Sequence, residues 1–409
     1  MEKVYVIGGA VTKFGKQPER NMKSLAEEAV TGALKSAALE KKDLEGAWVG
    51  NCVQGIFSGQ EMIRGQVVLH TMGIYDIPIV NVENACASSA TALNGAWAQI
   101  ALGEIDVALV LGMEKMFSKD KVKSLAIFNA ATDVELLQRT QDSMKAAEAK
   151  IDKDRETSGE GKKEKTGKRS IFMDFYASGA RAHMQRYGTT QRHLAAIASK
   201  NHYHSSMNPL AQYQKEYTIE EVMNDVEVAF PLTRLMCSPV GDGAAAAIVC
   251  SEAYAKKIGA LQMPHIAACV LTSGGGQAPL NRLARKAYDR AGIGPEDVDL
   301  AEVHDATAFG EISSTEALMF CPPGEGGPFA EAGHTTLGGK IPVNVSGGLE
   351  CQGHPIGATG IRQVVELFWH LTSQVGKRQV AGAKVGLAQN AGGSAPRGEG
   401  ALSVTILKC

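Results

Sequence analysis

The chain has 409 residues, 44% of them hydrophobic and 21% charged, with a formal net charge of −2. That length exceeds what one hydrophobic core usually serves, so two or three domains, or a duplicated one, are expected. The balanced charge gives no basis for nucleic-acid binding, no apolar run reaches the roughly 18 residues of a membrane span, and the opening MEKVYVIGG lacks a basic-then-apolar leader, which reads as cytoplasmic.

Val4–Gly8 predicts a buried strand, and Ser24–Ala38 a helix capped by Ser24, with Glu27 closing a capping box. Ala47–Asn51 reads as a second strand. Ile77–Val82, Thr91–Gly103 and Val107–Gly112 then read strand, helix, strand, the pattern of an α/β sheet covered on both faces. The composition changes near Phe117. Leu125–Lys150 reads as helical. Residues 151–169 are nearly all charge, Gly and Ser: either a solvated loop or a basic rim that meets a polyanionic ligand. Helices are expected around Ala177–Tyr187 and Gln191–Tyr203, and a strand over Gly241–Ser251. The earlier plan then repeats. Strands are expected at Pro264–Val270, Val298–His304, Val343–Val345, Val385–Ala388 and Ala401–Leu407, and helices at Asn281–Gly292 and Ala358–Thr372.

Two segments share one design. NVENACASSATALNGAWAQIALG from Asn81 and NVSGGLECQGHPIGATGIRQVVELFWHL from Asn344 both run strand, small-residue turn, long helix. Their matching places argue for an internal duplication in which each half brings one turn to a shared centre. Cys86 sits in the first turn and His354 in the second.

Eight cysteines are present (Cys52, Cys86, Cys237, Cys250, Cys269, Cys321, Cys351 and Cys409) without a CxxC pair, so no metal site is expected and most read as small core fillers. Cys86 differs by its position before a helix, whose N-terminus is expected to lower a thiol pKa. The small neighbours Ala85, Ala87, Ser88 and Ser89 leave room for a thioester, and the Cys86 amide is free to serve an oxyanion. His354, on a turn stiffened by Pro355 and flanked by glycines, is placed to take the thiol proton. His304 ends the strand VDLAEVH, where α/β sheets open onto ligands; its alternative is a histidine bonded to Asp305 or to backbone. Glu311 either orients the site or satisfies a helix start. The run GLAQNAGG reads as a strand followed by a glycine turn, and that turn, with Asn390 and Gly392, is either a second anion hole or a plain tight turn. Met173, Phe175 and Tyr176 either wall an acyl pocket or fill a core, and Arg181 is a candidate for anionic groups of a ligand.

These motifs resemble the thiolase superfamily over nearly the whole chain. NACASS is similar to its acyl-accepting cysteine turn, GHPIGATG to its histidine turn, and PLTRLMCSPVGDGAAAAIV to its crossing into the last strand of the first half. HDATAFGE resembles the HD motif of the sterol-carrier-protein branch. The resemblance implies two similar five-stranded α/β halves in five layers, with an inserted loop domain that holds coenzyme A. On this chain the halves would be 1–117 with 239–255, and 256–409, with 118–238 inserted.

It also implies that Cys86 attacks a 3-oxoacyl-CoA, His354 assists, His304 stabilises an enolate, and the Cys86 amide with the Gly392 region forms the second hole. No bound cofactor is implied, and CoA serves as co-substrate. Two departures follow. The Cys-x-Gly turn of many thiolases reads QNAGG here, and the cysteine common in the HD motif is Ala306. His304, Cys351 or water then has to carry the proton, Cys351 being alternatively core filler. A homodimer packed near Cys86 is implied, as is a small zinc-ribbon/OB-fold subunit of the kind that serves thiolases of aromatic succinyl-CoA substrates such as benzoylsuccinyl-CoA. A decarboxylating Cys-His-His condensing enzyme and a non-turnover acyl-CoA-binding subunit are the other two readings.

Overall fold

The structure, a computed structural model, describes residues 2–157 and 169–409. The first half runs β1 (Val4–Val11), α1 (Met22–Ala37), β2 (Gly46–Gly50), β3 (Ile79–Val82), α2 (Ser88–Ala101) and β4 (Val107–Glu114). Then come α3 (Lys121–Asn129), α4 (Leu137–Thr157), α5 (Ile171–Tyr187), α6 (Gln191–Ser206) and a small hairpin of β5 (Glu227–Ala229) and β6 (Leu232–Thr233). β7 (Gly243–Ser251) returns to the first sheet. The second half runs β8 (His265–Thr272), α7 (Pro279–Ala291), β9 (Leu300–Glu302), α8 (Ala308–Ala317), α9 (Thr359–Leu371), β10 (Val385–Ala395) and β11 (Gly398–Lys408).

The strand order β3-β2-β4-β7-β1-β8-β11-β10-β9 shows the duplication directly. From the centre outward, β1, β7, β4 and β2 correspond to β8, β11, β10 and β9. In both series the second strand is antiparallel to its neighbours and the third and fourth are parallel. The fifth strand of the second half is reduced to one parallel bridge, Ala301 to Val343. The halves join where Tyr5 pairs with His265 and the Val6 amide donates to Pro264 O (2.9 Å).

Alternation along the strands builds the layers. On β1, Tyr5 and Ile7 face α1, while Val4 and Val6 face the central helices. On β11, Leu402, Val404 and Ile406 face α7. α2 and α9 fill the middle, so α9 is buried nearly all round and its polar residues need partners. Arg362 is buried against Glu302 and also donates to Ser346 Oγ (2.8 Å); Gln363 donates to Gln389 O (2.9 Å). Arg362→Ala leaves Glu302 buried without its cation. The expected cost is about 3–5 kcal/mol, read as a lower urea midpoint at unchanged m-value.

Several boundaries differ from the sequence reading. The α1 cap is Asn21, whose Oδ1 accepts from the Ser24 amide (3.0 Å), because the helix begins at Met22 and Ser24 already lies in its first turn. Leu125–Lys150 is two helices, the first capped by Asp120, with Ala130–Leu136 between them. The charged run expected over 151–169 is helical through Thr157; residues 158–168 lie outside the described ones. The strand expected over Val298–His304 stops at Glu302, which leaves His304 on the connection that follows. The glycine turn expected at the end of GLAQNAGG is absent. β10 runs through that stretch to Ala395 and pairs with β11 as a long hairpin.

Candidate active site

β3 feeds a tight turn ahead of α2. The Ala87 amide donates to Asn84 O (3.0 Å) and the Ser88 amide to Ala85 O (3.1 Å). Ala85 sits at φ +47°, a conformation an L-residue adopts at a cost and one that clusters at functional sites. Cys86 stands on this turn, two residues before the helix. At the start of α9, the Ile361 amide donates to Ser89 Oγ (3.0 Å), so the two central helices meet end to end. Their two turns, and the connection after β9, converge.

The sulfur of Cys86 and one ring nitrogen each of His304 and His354 lie within 4.8 Å of one another. The two imidazoles meet edge to face, centroids 5.1 Å apart. Thr359 donates its hydroxyl proton to Pro355 O (3.1 Å), so it accepts from His354 Nδ1–H (2.7 Å). His354 Nε2 is therefore the lone-pair atom. Asn390 is placed with Nδ2 against His304 Nδ1 (3.2 Å), which makes Asn390 the donor and puts the His304 proton on Nε2. One ring can accept a proton and the other donate one. The same three groups are a donor set of metal-binding size.

Electrostatics separate the site from the sequence expectation. Cys86 is not activated at rest. Burial pushes its thiol up to about 12, against the Gly393 amide and its own, which aim at the sulfur and lower it; Glu114 and Glu83 raise it further. Burial, then Arg362, takes His304 down to about 3; burial, then His304 and Arg362, holds His354 well below the usual imidazole range. At neutral pH the resting site is one thiol and two neutral imidazoles. A proton could leave Cys86 only for an acceptor inside the site, and His354 Nε2 offers a lone pair.

Residues 4–229 match the family described as Thiolase, N-terminal domain, and residues 276–402 match Thiolase C-terminal domain-like. The chain belongs to the thiolase family. It is 37% identical over 404 residues to the acetyl-CoA acetyltransferase of Methanothermobacter thermautotrophicus, which covers 96% of this chain and 97% of that one. It is also 37% identical to sterol carrier protein 2 of Bos taurus, covering 99% of this chain and 72% of the relative. It is 33% identical to the non-specific lipid-transfer protein-like 2 of Caenorhabditis elegans, covering 95% of this chain and 93% of that one. These relatives put it in the sterol-carrier-protein branch and in the acyl-CoA C-acyltransferase class. Two solved structures share the fold along 100% of this chain and 98% of theirs. One, titled Ltp2-ChsH2(DUF35) aldolase, has a TM-score of 0.75 at 21% identity; the other, human mitochondrial 3-ketoacyl-CoA thiolase, has 0.71 at 18%.

In this thiolase the three reactive groups line one cavity of about 600 Å³. Met173, Phe175 and Tyr176 line it too, with Phe172 edge-on to Phe128 and Phe175. Other candidates stand elsewhere. Cys351 is fully buried beside Ser205 and off the cavity wall, because Gly353 at φ +113° turns the chain between it and His354. Glu311 is buried against Lys200 (2.8 Å) and accepts from Asn344 Nδ2 (2.8 Å); it braces the loops behind His304. Arg181 donates to Phe230 O (2.6 Å) away from the cavity, whereas Arg169, the last residue of the charged run, does line it, paired with Glu148 and Asp174 (2.6 Å each).

Gly393, not Gly392, directs its amide at Cys86. Gly392 instead lies against the cysteine turn. Four contributors escaped the sequence reading. Thr359 lay inside the quoted histidine motif, and Cys237, which lines the cavity, inside PLTRLMCSPVGDG. Arg234, also on the wall, lay in that same quoted stretch, and Glu114 had no local signal. Asn390→Ala frees the His304 ring to change tautomer. A fall in kcat of about tenfold or more at unchanged KM is expected from steady-state kinetics.

Proposed function

We propose that this thiolase cleaves a bulky or branched 3-oxoacyl-CoA with CoA as co-substrate, through an acyl-Cys86 intermediate and with no bound cofactor. The observation that carries the reading is one thiol and two imidazoles of opposite proton polarity, within 4.8 Å, on the wall of a large aromatic cavity. The Cys86 proton passes to His354 Nε2 as the sulfur attacks the keto carbon. Amides of Cys86 and Gly393 receive the oxyanion. The carbon–carbon bond breaks to an enolate held by His304 Nε2–H, and the proton on His354 goes to its carbon. CoA thiol then gives its proton to His354 and takes the acyl group, and Cys86 leaves as thiolate and recovers that proton. This cycle balances without a second cysteine.

The wall from Phe128, Phe172, Phe175, Tyr176 and Phe309 favours a bulky acyl group, including an aromatic succinyl-type one. Most of it comes from 118–238, which we take as the inserted CoA-binding segment. The edge strand β3 and the exposed Met62 (75%), Ile63 (59%) and Val80 (40%) support a homodimer through this edge. A small zinc-ribbon/OB-fold subunit is a further partner; one structural neighbour is itself titled with a DUF35 chain. Free cysteines throughout favour the cytoplasm, and among the described residues no helix is long and apolar enough to cross a membrane.

Mass spectrometry after substrate is expected to find the acyl group on the peptide holding Cys86, and none in Cys86→Ser. An unmodified peptide together with full activity in that variant overturns the reading. The same trio also suits decarboxylative condensation; carbon dioxide release from malonyl-CoA with no thiolysis would select that instead.

A further inference from the structure

Glu114 is the last residue of β4 and is fully buried, yet no cation pairs with it among the described residues. Its carboxylate is held by four N–H donors instead. Oε1 accepts from Asn51 Nδ2 (2.7 Å) and the Val53 amide (3.2 Å); Oε2 accepts from the amides of Cys52 and Gly357 (3.0 Å each). The donors come from two places. Asn51, Cys52 and Val53 follow β2. Gly357 belongs to the turn of His354, three residues on. A Cβ at Gly357 would stand 2.7 Å from Glu114 Oε2, so the turn lies directly on the carboxylate.

The first group leads to the nucleophile. Cys52 Sγ donates to Ala85 O (2.8 Å) and touches Ser88 Oγ (3.2 Å), which brackets Cys86 on both sides. Burial, with Glu114 adding to it, keeps the Cys52 thiol well above its usual range, so it remains a donor. One carboxylate thus links the strained residue before Cys86, through Cys52, to the turn that carries His354. A buried carboxylate costs free energy unless donors satisfy it. Burial lifts Glu114 to about 7, against hydrogen bonds from the amides of Cys52, Val53 and Gly357 and from the Cys52 side chain.

We infer that Glu114 is a positioning residue: it sets the nucleophile turn against the histidine turn, and so fixes the path by which the Cys86 proton reaches His354. The inference rests on the reading of Cys86 and His354 as nucleophile and base. Glu114 does not line the cavity that holds Cys86. Its effect belongs to the acylation step, where misplacement of reacting groups by about 1 Å costs on the order of 10²-fold.

The test is Glu114→Gln, which turns an NH₂ group toward two of the four donors. Rapid-quench measurement of acyl-Cys86 is expected to show acylation slowed about 10²-fold, while KM and the Kd of the 3-oxoacyl-CoA stay within about threefold of wild type. Glu114→Asp keeps the charge but is too short to span both turns, and is expected to slow acylation by at least about tenfold. A carboxylate that only stabilised the fold would lower the melting temperature without separating acylation from binding. Folded Glu114→Gln that acylates at the wild-type rate overturns the role. If that variant does not accumulate folded, Glu114→Asp acylating at the wild-type rate overturns it instead. Wild-type protein run alongside separates the two ideas: no acyl-Cys86 in wild type refutes the reading of the site, whereas equal rates refute only Glu114.

Discussion

His354→Ala is expected to lower kcat by at least ~10³-fold and to change the shape of the pH profile. With the Cys86 thiol pushed up to about 12, thiolate at pH 7 amounts to about one molecule in 10⁵. In the proposed cycle wild type avoids this scarcity by moving the proton to an imidazole already in place. Because His354 is held well below its ordinary range, it stays an empty base as pH falls from 8 towards 6, and the wild-type rate should be nearly flat across that window. The variant must draw thiolate from solution. Its residual rate should climb about tenfold per pH unit over the same window, since each unit multiplies the ionised fraction tenfold. Steady-state kinetics at a series of pH values check both parts. A variant with the wild-type's flat profile would show that another group takes the proton.

Gly392→Ala is expected to damage both the fold and the site. The added carbon would stand 2.1 Å from Asn84 O and 2.6 Å from the Ala87 amide, both backbone atoms of the cysteine turn. No rotamer relieves that contact; β10 or the turn has to move. Overpacking of this kind costs about 1–3 kcal/mol. The movement also displaces the neighbouring Gly393 amide that faces the sulfur, and a shift of about 1 Å in a catalytic group costs on the order of 10²-fold in rate. Calorimetry and acylation kinetics should both register the change. Unaltered melting and turnover would mean that strand and turn are not in the contact described.

The convergence of Cys86 and His354 was readable because both halves repeat strand, turn and helix, and a duplication brings equivalent turns to one centre. His304 was readable because it follows an apolar strand. Other features were hidden for definite reasons. The end of GLAQNAGG looks like a turn because glycine frees the backbone, but here the missing Cβ of Gly392 serves close approach within a continuous strand. Three positions separate Cys351 from His354, but sequence spacing carries no direction once Gly353 reverses the chain. Glu114 ends an apolar strand, and three of its four partners are backbone amides, which no residue pattern announces. The direction of the Cys86 shift depends on how the two halves surround the sulfur at the cavity wall, and that exists only in three dimensions.

That raised thiol pKa has a chemical corollary. Oxidants and electrophiles attack the thiolate and largely spare the thiol. An unfolded chain, with its cysteine near the free value of about 8.5, presents far more of the vulnerable form than the native protein does. Folding therefore lowers the thiolate share of Cys86 while it sets the sulfur beside two imidazoles.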